Sequence, residues 1–312
     1  TNGIAYIKLI FDARNIPADL FAYIGILKNV LGFVDTDKYD FGELFNEMNI
    51  HTGGIGGTVN TYVNAKKLKE YRLTFEMKTK AMYEELPAAF EIMTEIMTAS
   101  KLDDEDRVLE ILEELKSRKQ ANMMAAGDTV AALRAMAYFS ETAQISELTG
   151  GLPCYRMLEE YTADYEGKKE ELIRKLAVLA KCIFRPENLM VDITAGEEGF
   201  DRIKDLVPKM KAKLFTEPVK KEPFRLVPEK RNEGFSTSAQ VQYVCRAGDF
   251  TKGTDYKYTG ALKVLKVILG YDYFWLNVRV KGGAYGCACN FTRMGDSYFV
   301  SYRDPNLSKT ID

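Results

Sequence analysis

The apolar positions of this chain recur with two different periods, and their order predicts its elements. Residues 4–11 read as a strand, and within 17–31 Leu20, Ile24, Leu27 and Leu31 return at spacings of three and four, which predicts a helix. A second helix covers 40–48. In 58–63, Val59, Thr61 and Val63 alternate with Thr58, Asn60 and Tyr62, and together with 71–77 this predicts two neighbouring antiparallel strands. Residues 86–183 then turn almost wholly helical, with one stripe at Phe90, Met93, Ile96 and Met97, another at Val108, Leu109, Leu112 and Leu115, and a third at Leu172, Leu176 and Leu179. A strand at 189–193 follows Arg185-Pro186, and 199–210 reads as a further helix. One sheet covered by several helices, an α+β domain, is therefore expected over residues 1–210.

Residues 211–234 carry Pro218, Pro223 and Pro228 among lysines, glutamates and an arginine pair. Proline fixes φ and removes a backbone donor, so this stretch suits a connector. Residues 235–312 start afresh, with a strand at 240–246, a helix at 258–269 and strands at 284–292 and 297–302. That order repeats the opening of the first domain and points to an internal duplication, although no residue-level repeat is visible. The expected organisation is two tandem α+β domains, the second partial. The opening Thr1-Asn2-Gly3-Ile4, with no Met and no basic leader, and the helix start at the other end predict that the chain is cut from something longer.

Composition narrows the function classes. At 312 residues and 46% hydrophobic content, the chain can bury two cores. Its 43 Lys and Arg against 45 Asp and Glu give no global electrostatic reason to bind nucleic acid or an anionic membrane. Cys154, Cys182, Cys245, Cys287 and Cys289 form a scattered set with no Cys-x-x-Cys pair, which predicts neither a disulfide framework nor a thiolate zinc site and fits a reducing compartment. Apolar runs such as 176–180 stop far short of the roughly 20 residues that span a bilayer.

The single histidine, His51, limits the chemistry further. An inverted-zincin site needs two histidines and a carboxylate as ligands plus a glutamate for the water, so this chain cannot build one alone. No nucleophile elbow lies near His51, and a structural role is its plainer reading. The acidic run Asp103-Asp104-Glu105-Asp106 lacks the glycine and spacing of a calcium loop and reads as a helix N-terminus. Of two glycine-rich stretches, the one from His51 to Thr58 lacks the Gly-Lys-Ser/Thr ending of a phosphate loop and leads into a strand, so it reads as a closely approached strand entry. In the second, from Arg279 to Gly286, Gly282 and Gly283 allow a tight turn that would place Arg279 and Tyr285 beside one exposed surface. Both are donors suited to a peptide carbonyl or a developing oxyanion. Spacing alone leaves a purely structural pair as the simpler alternative.

The stretch from Arg279 to Gly286, followed by Ser301-Tyr302-Arg303-Asp304-Pro305-Asn306-Leu307, resembles the presequence-protease branch of the pitrilysin/insulinase superfamily of zinc metallopeptidases. Asn2-Gly3-Ile4-Ala5-Tyr6, Thr52-Gly53-Gly54-Ile55 and Gln242-Tyr243-Val244 agree, so the resemblance covers essentially the whole chain. It implies the C-terminal, non-zinc half of a clam-shell endopeptidase, with zinc bound by an N-terminal half of the same polypeptide and with this chain alone inactive. It also implies unstructured peptide substrates, with Arg279 and Tyr285 touching the substrate backbone and stabilising the tetrahedral intermediate from a turn formed by Gly282 and Gly283. The implied location is cytoplasmic if bacterial and an organelle matrix if eukaryotic. A catalytically dead structural member, or a module that pairs extended peptides with an exposed sheet edge near residues 53–62, are the competing readings.

Overall fold

The strand read in residues 4–11 becomes β1 (Ile4–Asp12), in a computed structural model that describes residues 2–222, 225, 227, 229–238 and 240–311. Pro223 and Pro228 of the expected connector and the terminal Thr1 and Asp312 lie outside the described residues. The helix expected across 17–31 is split. Its first turn, Ala18–Tyr23, closes with the tighter 3₁₀ pattern, Leu20 N–H donating to Pro17 O at 3.0 Å, before α1 (Ile24–Val30) begins. Next come α2 (Phe41–His51), β2 (Ile55–Val63) and β3 (Tyr71–Met82). At the head of α2, Asp40 accepts the Glu43 N–H at 2.8 Å and Glu43 reaches back to the Asp40 N–H, a reciprocal cap that fixes where the helix starts. The helical region resolves into α3 (Leu86–Thr98), α4 (Glu105–Ala125), α5 (Gly127–Met136), α6 (Glu141–Gly150), α7 (Leu152–Ala163) and α8 (Tyr165–Ile183), followed by β4 (Leu189–Thr194) and α9 (Glu197–Lys211). The acidic run at 103–106 does begin α4, with Asp104 Oδ1 accepting the Arg107 N–H at 3.2 Å.

The packing divides the chain into two units. One comprises Thr1–Val63, Tyr71–Lys116 and Arg156–Phe224, and the other Asn64–Glu70, Ser117–Tyr155 and Arg225–Asp312. The expected division into 1–210, 211–234 and 235–312 therefore needs a correction, because residues 117–155 pack with the C-terminal strands. An amphipathic stripe shows that a helix covers a sheet but not which sheet it covers.

In the first unit the sheet order is β2-β3-β1-β4, every neighbouring pair antiparallel. Ala5, Ile7, Leu9 and Phe11 on one face of β1 and Leu73, Phe75 and Met77 on β3 are at most 2% exposed. Phe184, just past α8, is fully buried and meets Phe11 and Phe75 edge-on at ring-centre distances of 5.1 and 5.5 Å, joining both central strands to the helical layer. On the opposite face Glu76 has a fully buried carboxylate. Burial alone would raise its pKa, but hydrogen bonds from Tyr62, Lys78, Asn60 and Thr74 together hold it below the ordinary value. The described start of the connector stays on this unit, through Phe215 N–H to Phe184 O at 3.0 Å, Arg185 Nη1 to Glu217 O at 2.7 Å and Glu222 N–H to Asn15 O at 3.0 Å.

The second unit contains β5 (Gln242–Asp249), α10 (Ala261–Ile268) continuing as a π-helix (Leu269–Lys281), β6 (Gly286–Phe291), β7 (Asp296–Asp304) and α11 (Ser308–Ile311). Its sheet order is β5-β7-β6, antiparallel throughout. Read from the other edge, β6-β7-β5 is the order β2-β3-β1, so the recurrence visible in the sequence is also a recurrence of topology. The start of α5 lies against this sheet, where a Cβ at Gly127 would sit 2.3 Å from the Tyr243 ring. Tyr243 Oη donates to Met124 O at 3.0 Å, and Ser140 Oγ donates to Asp296 Oδ2 at 3.0 Å. Arg134 holds Glu233 in a fork of 2.8 and 3.0 Å hydrogen bonds, and chiefly this contact lowers the Glu233 pKa to about 2.

Two outcomes follow from this packing. Replacing Phe184 by Ala removes the ring common to both central strands, and urea unfolding should show a loss of about 3–5 kcal/mol. Glu233 has a folded pKa below its unfolded value near 4.5, so its contribution is complete above that value and is lost as pH falls toward about 2. Urea midpoints measured across this acid range should decline in the native sequence and decline less in Glu233→Gln.

Candidate functional site

The site predicted around the second glycine pair is assembled by three pieces of the second unit: the end of the π-helix, the turn after it and the end of β7. The helix beginning at Ala261 does not stop near residue 269 as expected but runs through Gly270 to Lys281. Arg279 thus stands on the last helical turn, four residues after Trp275, and side chains at that spacing share a helix face. Its guanidinium carbon lies 4.2 Å from the centre of the Trp275 ring and 5.4 Å from that of Tyr285, a cation held against two aromatic faces. Among the described residues no carboxylate or other acceptor pairs with this guanidinium. The Tyr285 side chain is 64% exposed, and its ring leans on Tyr302 at 5.9 Å.

Each glycine has its own reason to be there. A Cβ at Gly282 would lie 2.5 Å from the Val278 carbonyl oxygen, so the chain can close onto the helix only without one. Gly283 has φ +83°, the left-handed region that side chains disfavour. The reversal is fastened by Gly283 N–H to Arg279 O at 2.8 Å and Ala284 N–H to Val278 O at 3.1 Å. The Tyr285 N–H is shared between Tyr302 O at 3.1 Å and Arg303 O at 3.3 Å, so Tyr285 precedes β6 instead of lying within a strand from 284. The result is a fork of free guanidinium donors next to an exposed phenol, suited to a carbonyl or an oxyanion. Burial raises the pKa of the nearby Cys287 thiol despite the charge of Arg279.

The first glycine-rich stretch occupies the equivalent place in the first unit, between α2 and β2. Gly54 has φ +96°, as Gly283 has a positive φ, and Gly53 packs against Lys80 with its N–H donating to Lys80 O at 2.7 Å. Matching Gly53-Gly54 to Gly282-Gly283 puts Ile50 where Arg279 stands and Gly56 where Tyr285 stands. The two copies share the turn, and only the second carries the donors. Sequence comparison alone misses this equivalence because its signal is a backbone conformation at two glycines.

The two ring nitrogens of His51 face different carboxylates, Nδ1 with Glu85 at 2.5 Å and Nε2 with Glu47 at 3.4 Å, so the three groups do not converge on one ion. No cluster of three or more His, Cys, Asp or Glu among the described residues could hold a metal. No helix among the described residues is long and apolar enough to cross a membrane.

Residues 1–160 match the family described as associated with the M16 peptidases of subfamily C, and residues 232–312 match the PreP C-terminal domain. The chain belongs to the M16, or pitrilysin, family of peptidases, as part of its C-terminal half. Among its relatives, "Protein HypA" of Clostridium perfringens is 36% identical across the whole chain, and the mitochondrial presequence protease of Yarrowia lipolytica is 26% identical across the whole chain. The chain spans 32% of the length of each, so it corresponds to about a third of these relatives. A Helicobacter pylori protease superposes with a TM-score of 0.61 at 14% identity over 98% of this chain and 71% of its own, which shows a shared fold. The α+β architecture inferred from the sequence is that fold.

Because Gly283 carries the positive φ, Gly283→Ala should cost about 1–2 kcal/mol in chemical denaturation. Gly283→Asn, whose side chain tolerates this conformation better, should cost less.

Proposed function

We propose that this chain is the non-catalytic half of a zinc metalloendopeptidase that degrades unstructured peptides, and that Arg279 and Tyr285 supply its contribution to the reaction. The observation that carries this reading is the Arg279 guanidinium held against the Trp275 and Tyr285 rings, with no hydrogen-bonding partner for its donors among the described residues. A guanidinium already fixed by stacking loses little further freedom when it takes up a carbonyl, and its charge favours the oxygen most as negative charge develops there. The Tyr285 phenol can donate to the same oxygen or to a neighbouring carbonyl of the peptide. In this reading the metal and the activated water come from an N-terminal half, of the kind implied by relatives three times as long. Their chemistry would meet these donors only when the halves close on an extended peptide. The protein would then act in the cytoplasm of a bacterium or in an organelle matrix of a eukaryote.

A second reading, peptide capture by strand addition, draws on β2. It is an outer strand of its sheet, and its nine residues carry no charge and no proline of the sort that usually guard an edge. Peptide affinity in the isolated chain, unaffected by Arg279→Ala, would favour it.

The deciding experiment assays cleavage of a quenched unstructured peptide by this chain with and without an N-terminal half, in zinc and in chelator. The isolated chain should be inert and the pair active. Arg279→Ala or Tyr285→Phe should lower kcat by roughly 10²- to 10³-fold, as the loss of an oxyanion donor does. Cleavage by the isolated chain, or full activity in both variants, would defeat the proposal.

A further inference from the structure

The backbone that presents Arg279 and Tyr285 is gripped from both sides by the stretch that ends β7. On one side the Tyr285 N–H is shared by Tyr302 O and Arg303 O, and on the other Asn306 Nδ2 donates to Gly282 O at 2.5 Å. Between these contacts a Cβ on Gly283 would stand 3.3 Å from the Pro305 ring, so proline and glycine lie in close contact. Asn306 is itself held. Asp304, 1% exposed, accepts the Asn306 N–H through Oδ1 at 2.8 Å and the Thr310 hydroxyl through Oδ2 at 2.7 Å. Arg303 adopts φ +49°, a left-handed conformation that non-glycine residues rarely keep unless their surroundings impose it. This twist accompanies a switch from the exposed Arg303 to the buried Asp304 at the strand end.

We infer that Asn306, locked by Asp304, is a positioning residue for the Arg279–Tyr285 pair. Gly282 and Gly283 give the turn freedom to adopt many conformations, and a reversal made of two glycines cannot by itself hold the residues on either side at a fixed separation. Asn306 removes that freedom at the Gly282 carbonyl, which lies past the last turn of the helix and before β6. This inference rests on the role proposed for Arg279 and Tyr285, but its geometric part can be read independently because Trp275, stacked on Arg279, is the only tryptophan of the chain.

The test uses Asn306→Asp, which keeps the shape but turns the donor toward Gly282 O into an acceptor, and Asn306→Ala, which removes the donor without adding charge. In the 312-residue chain, both should shift Trp275 emission and raise its acrylamide quenching toward the values of Arg279→Ala. With the N-terminal half present, both should lower kcat roughly 10- to 100-fold with KM unchanged, the scale of an ångström-level misplacement. Either should add little in an Arg279→Ala background. Trp275 emission and kcat both unchanged in the two variants overturn the inference, as does a kcat loss matched by a lower melting temperature with an unmoved Trp275 signal. If Arg279→Ala leaves turnover intact while Trp275 still responds to Asn306→Asp, the brace stands and the catalytic role proposed for the pair fails.

Discussion

In each unit a helix must reverse into the first strand of a hairpin within a few residues, and that reversal requires a backbone conformation open to glycine. Gly54 at φ +96° and Gly283 at φ +83° meet the same demand in the two units, and the glycine before each allows a close approach. The remaining arrangement follows from this constraint. Once the chain has turned, β2 pairs with β3 and β6 with β7, and the strand that opened the unit closes on the far side of the hairpin's second strand. The same turn decides which residues stand at the rim. In the first unit these are Ile50 and Gly56, and in the second Arg279 and Tyr285. The duplicated frame is common to both units, and only the second places an arginine and a tyrosine at its rim.

The polar groups fall into two kinds. Glu76, Glu233 and Asp304 are partnered within the protein, each by several donors or by a forked arginine, so their charges serve the fold. Arg279 is the opposite case, since among the described residues its contacts are with aromatic rings and satisfy none of its donors. A cation oriented by stacking keeps its hydrogen-bonding capacity for something outside the chain. His51, which in a one-histidine chain attracts a catalytic interpretation, belongs to the first kind, with a glutamate on each ring nitrogen.

Much of the fold was legible in the sequence because burial leaves a periodic trace. The stripes on α3, α4 and α8 follow from which positions face an apolar core, and the acidic start of α4 from the charge that a helix N-terminus favours. Two features left no such trace. In the helix through Gly270, the part from Leu269 to Lys281 has no buried residue, so no buried stripe marks its length. The assignment of α5 to the second sheet depends on Gly127 meeting Tyr243, a contact between residues 116 positions apart in the chain.

By itself the sequence determined the α+β class, the tandem repeat of strand, helix and hairpin, the glycine pair with its flanking Arg279 and Tyr285, and the exclusion of a zinc site built from one histidine. Local periodicity, turn chemistry and residue inventory decide those points, and all three are written along the chain. Tertiary structure alone decided that residues 117–155 pack with the C-terminal sheet, that the two glycine stretches are equivalent, that Trp275 stacks on Arg279 and that Asn306 holds the turn. These depend on side chains and carbonyls brought together from distant positions or on the sign of a single φ, and neither leaves a periodic mark in the sequence.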